Sequence, residues 1–381
     1  MSGVYLHIPF CEHKCIYCDF YSIAPSEEHA DAEGMMASFT ELLLKEINLR
    51  SDTVPRGEMY DTVFFGGGTP SLLEAEQMVR LLDRLRSRFE IRPDAEITME
   101  ANPGTVTEER LRAFRAAGIN RVSFGVQSFY DDELKFLTRI HSADQAKASV
   151  HAARRAGFDN LNIDLMFALP GQTPERWRST MEQALNLGPT HISCYSLIVE
   201  PHTPLARMVE AKQVAVLDTE ADAALFETTA EVMERHGYEQ YEVSNFARPG
   251  FRSLHNLNYW RHGSYLGFGP SAHSFRGTHR WWNIANLSTY ASRLRDGALP
   301  TAGEEELQPE QMMTEAVFLG LRSDGLDTAN FDRRFGRRFL EDHRSRIEDL
   351  LRSGLARLDG AVLRLTSRGY LVCDEICATL E

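Results

Sequence analysis

Several kinds of sequence are missing from this chain, and each absence narrows what it can do. No apolar run approaches the roughly 20 residues of a membrane-spanning helix, so no transmembrane segment is expected, and only peripheral membrane contact stays open. No run of Lys and Arg is present, and 55 acidic against 41 basic residues give a net charge of -14, a field that repels nucleic acid. A strand-like segment begins by Gly3, leaving no room for a signal peptide, and the chain reads as cytoplasmic. Low-complexity linkers are lacking. So is a disulfide framework: of 6 cysteines, three crowd into positions 11–18, which in a reducing compartment points to metal binding or redox chemistry.

What is present is a soluble globular composition, 43% hydrophobic and 25% charged, at a length of 381 residues that suits two or three domains. Strands are expected at Gly3–Ile8, 61–65, 96–100, 121–125, Asn160–Phe167 and 191–197, each followed by a stretch of helical period. The stretch EAEQMVRLLDRLRSRF puts Met78, Leu81, Leu82, Leu85 and Phe89 on one face, and Gly118 and Gly188 stand where helices should end. Six strand-then-helix repeats imply a parallel sheet with right-handed crossovers, doubly wound or wrapped into a full or partial barrel, whose chemistry sits at the C-terminal strand ends. The expected division is a barrel over 1–236, an aromatic and His-rich segment of loops and short strands covering one end of it over 237–299, and a mainly helical module over 300–381. A hairpin is expected around Asp359–Gly360.

The stretch CEHKCIYCDF spaces Cys11, Cys15 and Cys18 as CxxxCxxC. Soft thiolates suit a zinc ion or an iron–sulfur cluster. Zinc would need a fourth ligand, with His7 or His13 as candidates, whereas a cubane on three thiolates leaves one iron open to a substrate or cofactor. In FFGGGTPS, three glycines let backbone approach a ligand and leave N–H groups free to bind a carboxylate; alone the stretch is equally a phosphate loop or a plain turn. Glu100 in EANP sits at a strand end, fit to take an ammonium group or to serve as a surface acid or cap. Cys373 and Cys377, one helical turn apart, read as buried apolar residues.

The cysteine motif, with the aromatic Tyr17 between its last two cysteines and its place after strand one of a (βα) repeat, resembles that of the radical S-adenosylmethionine (SAM) superfamily. The resemblance implies an α/β fold, a partial (βα)6 TIM-like barrel with a C-terminal, mainly helical, winged-helix-like domain. It also implies a [4Fe–4S] cluster on Cys11, Cys15 and Cys18 whose open iron is chelated by SAM. GGGTP is similar to the superfamily's GGE-type motif. Gln127 in SFGVQSF, Arg139 twelve residues later in LTRIHS, and Asp164 in NIDLMFALPGQT narrow the resemblance to the oxygen-independent coproporphyrinogen oxidase family, HemN and its relatives, over nearly the whole chain. SAM contacts are then implied for Tyr5, Tyr17, Gly67, Gly68, Thr69, Glu100, Gln127, Arg139 and Asp164.

Two departures lean toward the HemW branch of that family, whose members look like heme chaperones. Phe20 stands where the oxidase pattern CxxxCxxCxC has a fourth cysteine, and the oxidase's long N-terminal extension is lacking, Tyr5 being the fifth residue. HNLNYW, from His255 to Trp260, matches the branch's HNxxYW motif and implies heme bound with His255 as axial ligand and Tyr259 and Trp260 as flat apolar surface. His262 and His273 are nearby rivals, and the plainer account of His255 is a satisfied polar residue in an aromatic lid. The partners implied are heme and acceptor hemoproteins, those of the respiratory chain included, with monomer and homodimer both open. The alternative is a radical SAM enzyme acting on a tetrapyrrole, as the coproporphyrinogen oxidase does, or on another small molecule; the acidic charge opposes tRNA modification.

Overall fold

A computed structural model describes residues 1–24 and 32–380. Six strands, β1 (Ser2–Ile8), β2 (Met59–Gly67), β3 (Glu90–Ala101), β4 (Arg121–Gln127), β5 (Asn160–Phe167) and β6 (His191–Ser196), pair side by side in sequence order and in parallel. Helices α1 (Ala32–Ser51), α2 (Ala75–Arg88), α3 (Glu108–Ala117), α4 (Asp131–Phe136), α5 (Ala143–Arg155), α6 (Pro174–Asn186), α7 (Pro204–Glu210) and α8 (Thr219–Arg235) follow the strands as the repeats require. Local chemistry sets their ends. Ser142 and Gln145 close a capping box on α5, Asp218 accepts from the Ala221 N–H at the start of α8, and Gly118 ends α3 at φ 111°.

Period-two alternation splits each strand between two environments. Val4, Leu6 and Ile8 on β1, Val63 and Phe65 on β2, and Val122 and Phe124 on β4 are buried against the helices, in one continuous core with Leu81 and Leu85 of α2. Each fully buried side chain of this kind contributes roughly 1.5–3 kcal/mol. The other face carries Tyr5, Glu100, Ser123, Asn162 and Asp164, and this inner face is where the polar chemistry collects.

The sheet does not end at β1 and β6. β8 (Asn245–Ala247) adds antiparallel to β6 and β7 (Glu239–Gln240) antiparallel to β8, while β9 (Ser264–Phe268), β10 (His273–Arg276), β11 (His279–Asn283) and β12 (Thr301–Glu306) extend the sheet beyond β1, to twelve strands in all. The segment expected as loops and short strands over one end of a barrel therefore continues the sheet at both edges. Its HNLNYW stretch is a helix, α9 (Leu254–Trp260), packed against the inner face of β1 and β2. The start of α9 explains the placement: Ser253 caps it, and the buried Glu96 carboxylate of β3 accepts from the N–H groups of Leu254 and His255 at 3.2 and 3.1 Å.

After α10 (Leu287–Arg295) and α11 (Pro309–Leu321), a three-stranded sheet of β13 (Leu326–Asp327), β15 (Val362–Leu365) and β14 (Ala356–Asp359) forms with its own apolar core. The expected hairpin is there, with Gly360 at φ 63° in its turn. Cys373 and Cys377 are buried in that core.

Candidate functional site

A cavity of about 800 Å³ opens at the C-terminal ends of the parallel strands. It is lined by Cys11, Cys15, Tyr17 and Cys18 from the loop after β1, by Gly67, Gly68 and Thr69 after β2, and by Glu100, Gln127, Arg139 and Asp164. Tyr5 alone among the residues expected here lies elsewhere. It lines a neighbouring cavity and its hydroxyl sits 3.0 Å from His7 Nδ1.

The GGGTP stretch does different work from that expected of it. Its N–H groups are not free: Gly67 N donates to Glu100 Oε2 at 3.1 Å, Gly68 N to Ile8 O at 2.8 Å and Thr69 N to Phe10 O at 2.7 Å. The loop is a clamp on the base of the cysteine loop, so close that a Cβ on Gly68 would stand 2.6 Å from Phe10 O. Thr69 Oγ1 lies 3.6 Å from Cys11 Sγ, and Arg139 Nη1 lies 3.5 Å from Cys15 Sγ. His7, a candidate fourth ligand, has both ring nitrogens engaged, by Tyr5 and by Tyr21 O at 2.7 Å. Among the described residues no three His, Cys, Asp or Glu side chains gather tightly enough for a single ion. A cubane places each thiolate on its own iron and suits three cysteines spread around one loop.

The electrostatics of the cavity call for a cation. Burial, helped by the charge of Asp164, pushes the Glu100 carboxyl up to about 8. Burial also raises Asp164, against hydrogen bonds from Ser123 at 3.0 Å and Asn162 at 2.7 Å. Two desolvated acids on the inner face are relieved by a guest bearing positive charge, such as an ammonium or sulfonium group. Gln127 has φ 70°, at a register shift in the β4–β5 pairing, and its Oε1 is buried with no partner. A non-glycine residue there costs on the order of 1–3 kcal/mol, a strain typical of binding sites. Arg139 Nε is likewise buried and unpaired. Carboxyls for a cation and an unused amide oxygen and guanidinium N–H for polar groups make a donor and acceptor set that fits an amino-acid-bearing sulfonium beside a thiolate-held cluster.

Sequence reasoning missed one wall of this cavity. Arg322, Tyr370 and Asp374 reach it from the C-terminal module, Arg322 hydrogen-bonded to Asp374. Nothing in the local sequence signals this, because the contact exists only once the module docks.

The expected heme residues part company. His255 is 1% exposed, with Nδ1 2.7 Å from Thr62 Oγ1 and Nε2 2.9 Å from the Tyr259 hydroxyl, and it stacks on Phe64 at 4.9 Å. Burial drives its pKa down to about 3, so it is a neutral, fully satisfied imidazole. The Trp260 side chain bonds to the buried Glu242. Tyr259 does reach an opening: with His262, Tyr265, His273 and Trp282 it lines the second cavity, of about 780 Å³. Asp19 and Phe20 border both cavities.

Residues 5–184 match the radical SAM superfamily and residues 307–372 the HemN C-terminal domain. The chain is 39% identical, over 381 residues, to a protein of Mycobacterium tuberculosis (strain H37Rv) named heme chaperone HemW, spanning 99% of this chain and 94% of that one. The chain belongs to the HemW family. A HemW of Bacillus subtilis is 36% identical over 99% of this chain and 98% of its own, and that of Escherichia coli K12 is 42% identical over 71% and 69%. HemW-family membership within the radical SAM superfamily implies a [4Fe–4S] cluster and SAM. Among solved structures, the coproporphyrinogen III oxidase HemN of Escherichia coli superposes with a TM-score of 0.83 over 100% of this chain and 89% of that one, at 24% identity, a likeness of fold.

Proposed function

We propose that the protein is a cytoplasmic heme chaperone of the HemW type, which holds a [4Fe–4S] cluster and SAM beside a heme and passes the heme to acceptor hemoproteins. The observation that carries this reading is end-to-end likeness, at 39% identity, to a relative named for that activity. Phe20, in place of the oxidase's fourth cysteine, agrees with it. Among the described residues no helix is long and apolar enough to cross a membrane.

When bound, the cluster and SAM supply one-electron chemistry at a sulfonium. The chain's own part is to offer Cys11, Cys15 and Cys18 as cluster ligands, with Arg139 Nη1 next to the Cys15 sulfur. Glu100 and Asp164 hold positive charge on the inner face, and the clamp from Gly67 to Thr69 fixes the cysteine loop.

A second reading, a radical SAM enzyme acting on a tetrapyrrole, is favoured by the completeness of this first cavity, which a passive carrier would not need. Anaerobic reconstitution of the cluster, heme titration and an assay for 5′-deoxyadenosine in one preparation separate the two. One heme per chain without turnover of coproporphyrinogen supports the chaperone; turnover supports the enzyme.

A further inference from the structure

The inner face of the sheet does not stop at β1. Strands β9 to β12 continue it, and along the added part Tyr265, His273, Phe275 and Trp282 line the second cavity. At about 780 Å³ its volume lies within the ordinary range of small-molecule sites. Its walls are mostly flat rings. Trp282 stacks beside His273, 5.8 Å between centroids at 25°, on paired strands. The indole lies over Gly303 of the next strand, where a Cβ would come within 2.5 Å of Cζ2, so the glycine is what lets it lie flat. Phe20, 65% exposed, stands at the edge shared with the cysteine-lined cavity.

Of the histidines at this cavity, one is both exposed to it and unpaired at both ring nitrogens. His7 is bonded through both nitrogens. His262 is a buried side chain stacked on Phe275 at 4.6 Å and 6°, with Nε2 3.1 Å from Glu315 and Nδ1 without a partner. His255 lies behind Tyr259, with both nitrogens bonded as well. His273 is exposed to the cavity, and among the described residues neither ring nitrogen has a hydrogen-bond or ion-pair partner. An imidazole with a free lone pair on a wall of aromatic faces is what an iron tetrapyrrole needs from a protein: one axial ligand and an apolar slot. Glu305 and Glu315, the acids on this wall, are both paired with Arg280.

We propose that heme is seated in this second cavity with His273 as its axial ligand, next to the cluster cavity and separated from it by Asp19 and Phe20. His255 is then the hub that holds α9 and Tyr259 behind the seat. This inference rests on the heme-chaperone reading and is tested so that the two fail differently.

The reconstituted full-length protein is titrated with ferric hemin, following the Soret band, as wild type, His273→Ala, His273→Cys, His262→Ala and His255→Gln. Wild type saturates at one heme. His273→Ala weakens binding at least about tenfold, since even groups behind a ligand cost that much, and added imidazole restores the wild-type band. His273→Cys shifts the band to that of a thiolate-ligated heme, a change that loss of packing alone cannot produce. His262→Ala, and His255→Gln where it folds, keep the wild-type band position. An unchanged band and affinity in both His273 variants overturns the assignment while leaving the chaperone reading intact. Absence of saturable heme binding by wild type overturns both.

Discussion

The Thr62 hydroxyl lies 2.7 Å from Nδ1 of His255, tying α9 to β2 on the inner face of the sheet. With the Tyr259 hydroxyl on Nε2 and Phe64 stacked on the ring, the imidazole pins α9 to the sheet. His255→Ala leaves a void and two unpaired hydroxyls, and should lower unfolding free energy by roughly 3–5 kcal/mol. Urea denaturation measures this; a loss under 1 kcal/mol, on the scale of a surface substitution, would show the pin to be unnecessary.

The same residue predicts a pH dependence. Burial holds His255 neutral down to about 3, while in the unfolded chain it takes a proton near 6.5. Between those values the unfolded state binds the extra proton, so the stabilisation is present above pH 6.5 and is lost as pH falls. The stability advantage of wild type over His255→Gln should therefore shrink on acidification through that window, by at most about 1.4 kcal/mol per pH unit. An advantage that stays flat with pH would contradict the buried, neutral state.

Gly68→Ala should cost about 1–3 kcal/mol by overpacking and lower cluster yield, because its Cβ would meet the Phe10 carbonyl at 2.6 Å. Gly104→Ala is the control, its nearest neighbour being 3.7 Å away. Equal iron content and melting temperature in the two variants would remove the clamp.

Gln127→Gly should split stability from binding. Relief of the strained backbone at φ 70° favours folding by about 1 kcal/mol, partly offset by the freer unfolded chain. SAM affinity, read by equilibrium dialysis, should fall because the buried amide oxygen is gone. Weaker folding with unchanged affinity would make Gln127 a structural residue.

Replacing Cys11, Cys15 or Cys18 by Ser should abolish the reconstituted cluster, from about four iron per chain toward zero. Ser at Cys194, Cys373 or Cys377, all buried and outside the cysteine loop, should leave iron content unchanged. Iron analysis decides the matter, and a cluster that survives loss of Cys15 would assign the ligands elsewhere.

The parallel strands were legible because β1 to β6 are short runs rich in Val, Ile, Phe and Tyr set between stretches of helical period, and the polar set gathers at one rim; Glu100, Gln127 and Asp164 fall within one cavity as their strand-end positions imply. Helix α9 was not legible. Seven residues hold too few turns for a periodic signal, and its partner is the inner face of the sheet, invisible to local sequence. Short strands were expected after residue 237, but that β9 to β12 continue the sheet was hidden by their glycines and aromatics, which resemble loop composition until Trp282 is seen lying over Gly303. The free N–H groups expected of GGGTP were wrong for a related reason: a glycine loop shows that backbone approaches something, and here the something is the backbone of Ile8 and Phe10.

The most direct test of the central claim places heme-loaded, cluster-reconstituted protein with an apo-hemoprotein acceptor and, in a parallel reaction, the heme-free protein with coproporphyrinogen, SAM and reductant. The account predicts that the Soret signature moves to the acceptor and that no protoporphyrinogen forms. Heme retained by the protein together with decarboxylation of coproporphyrinogen would contradict it.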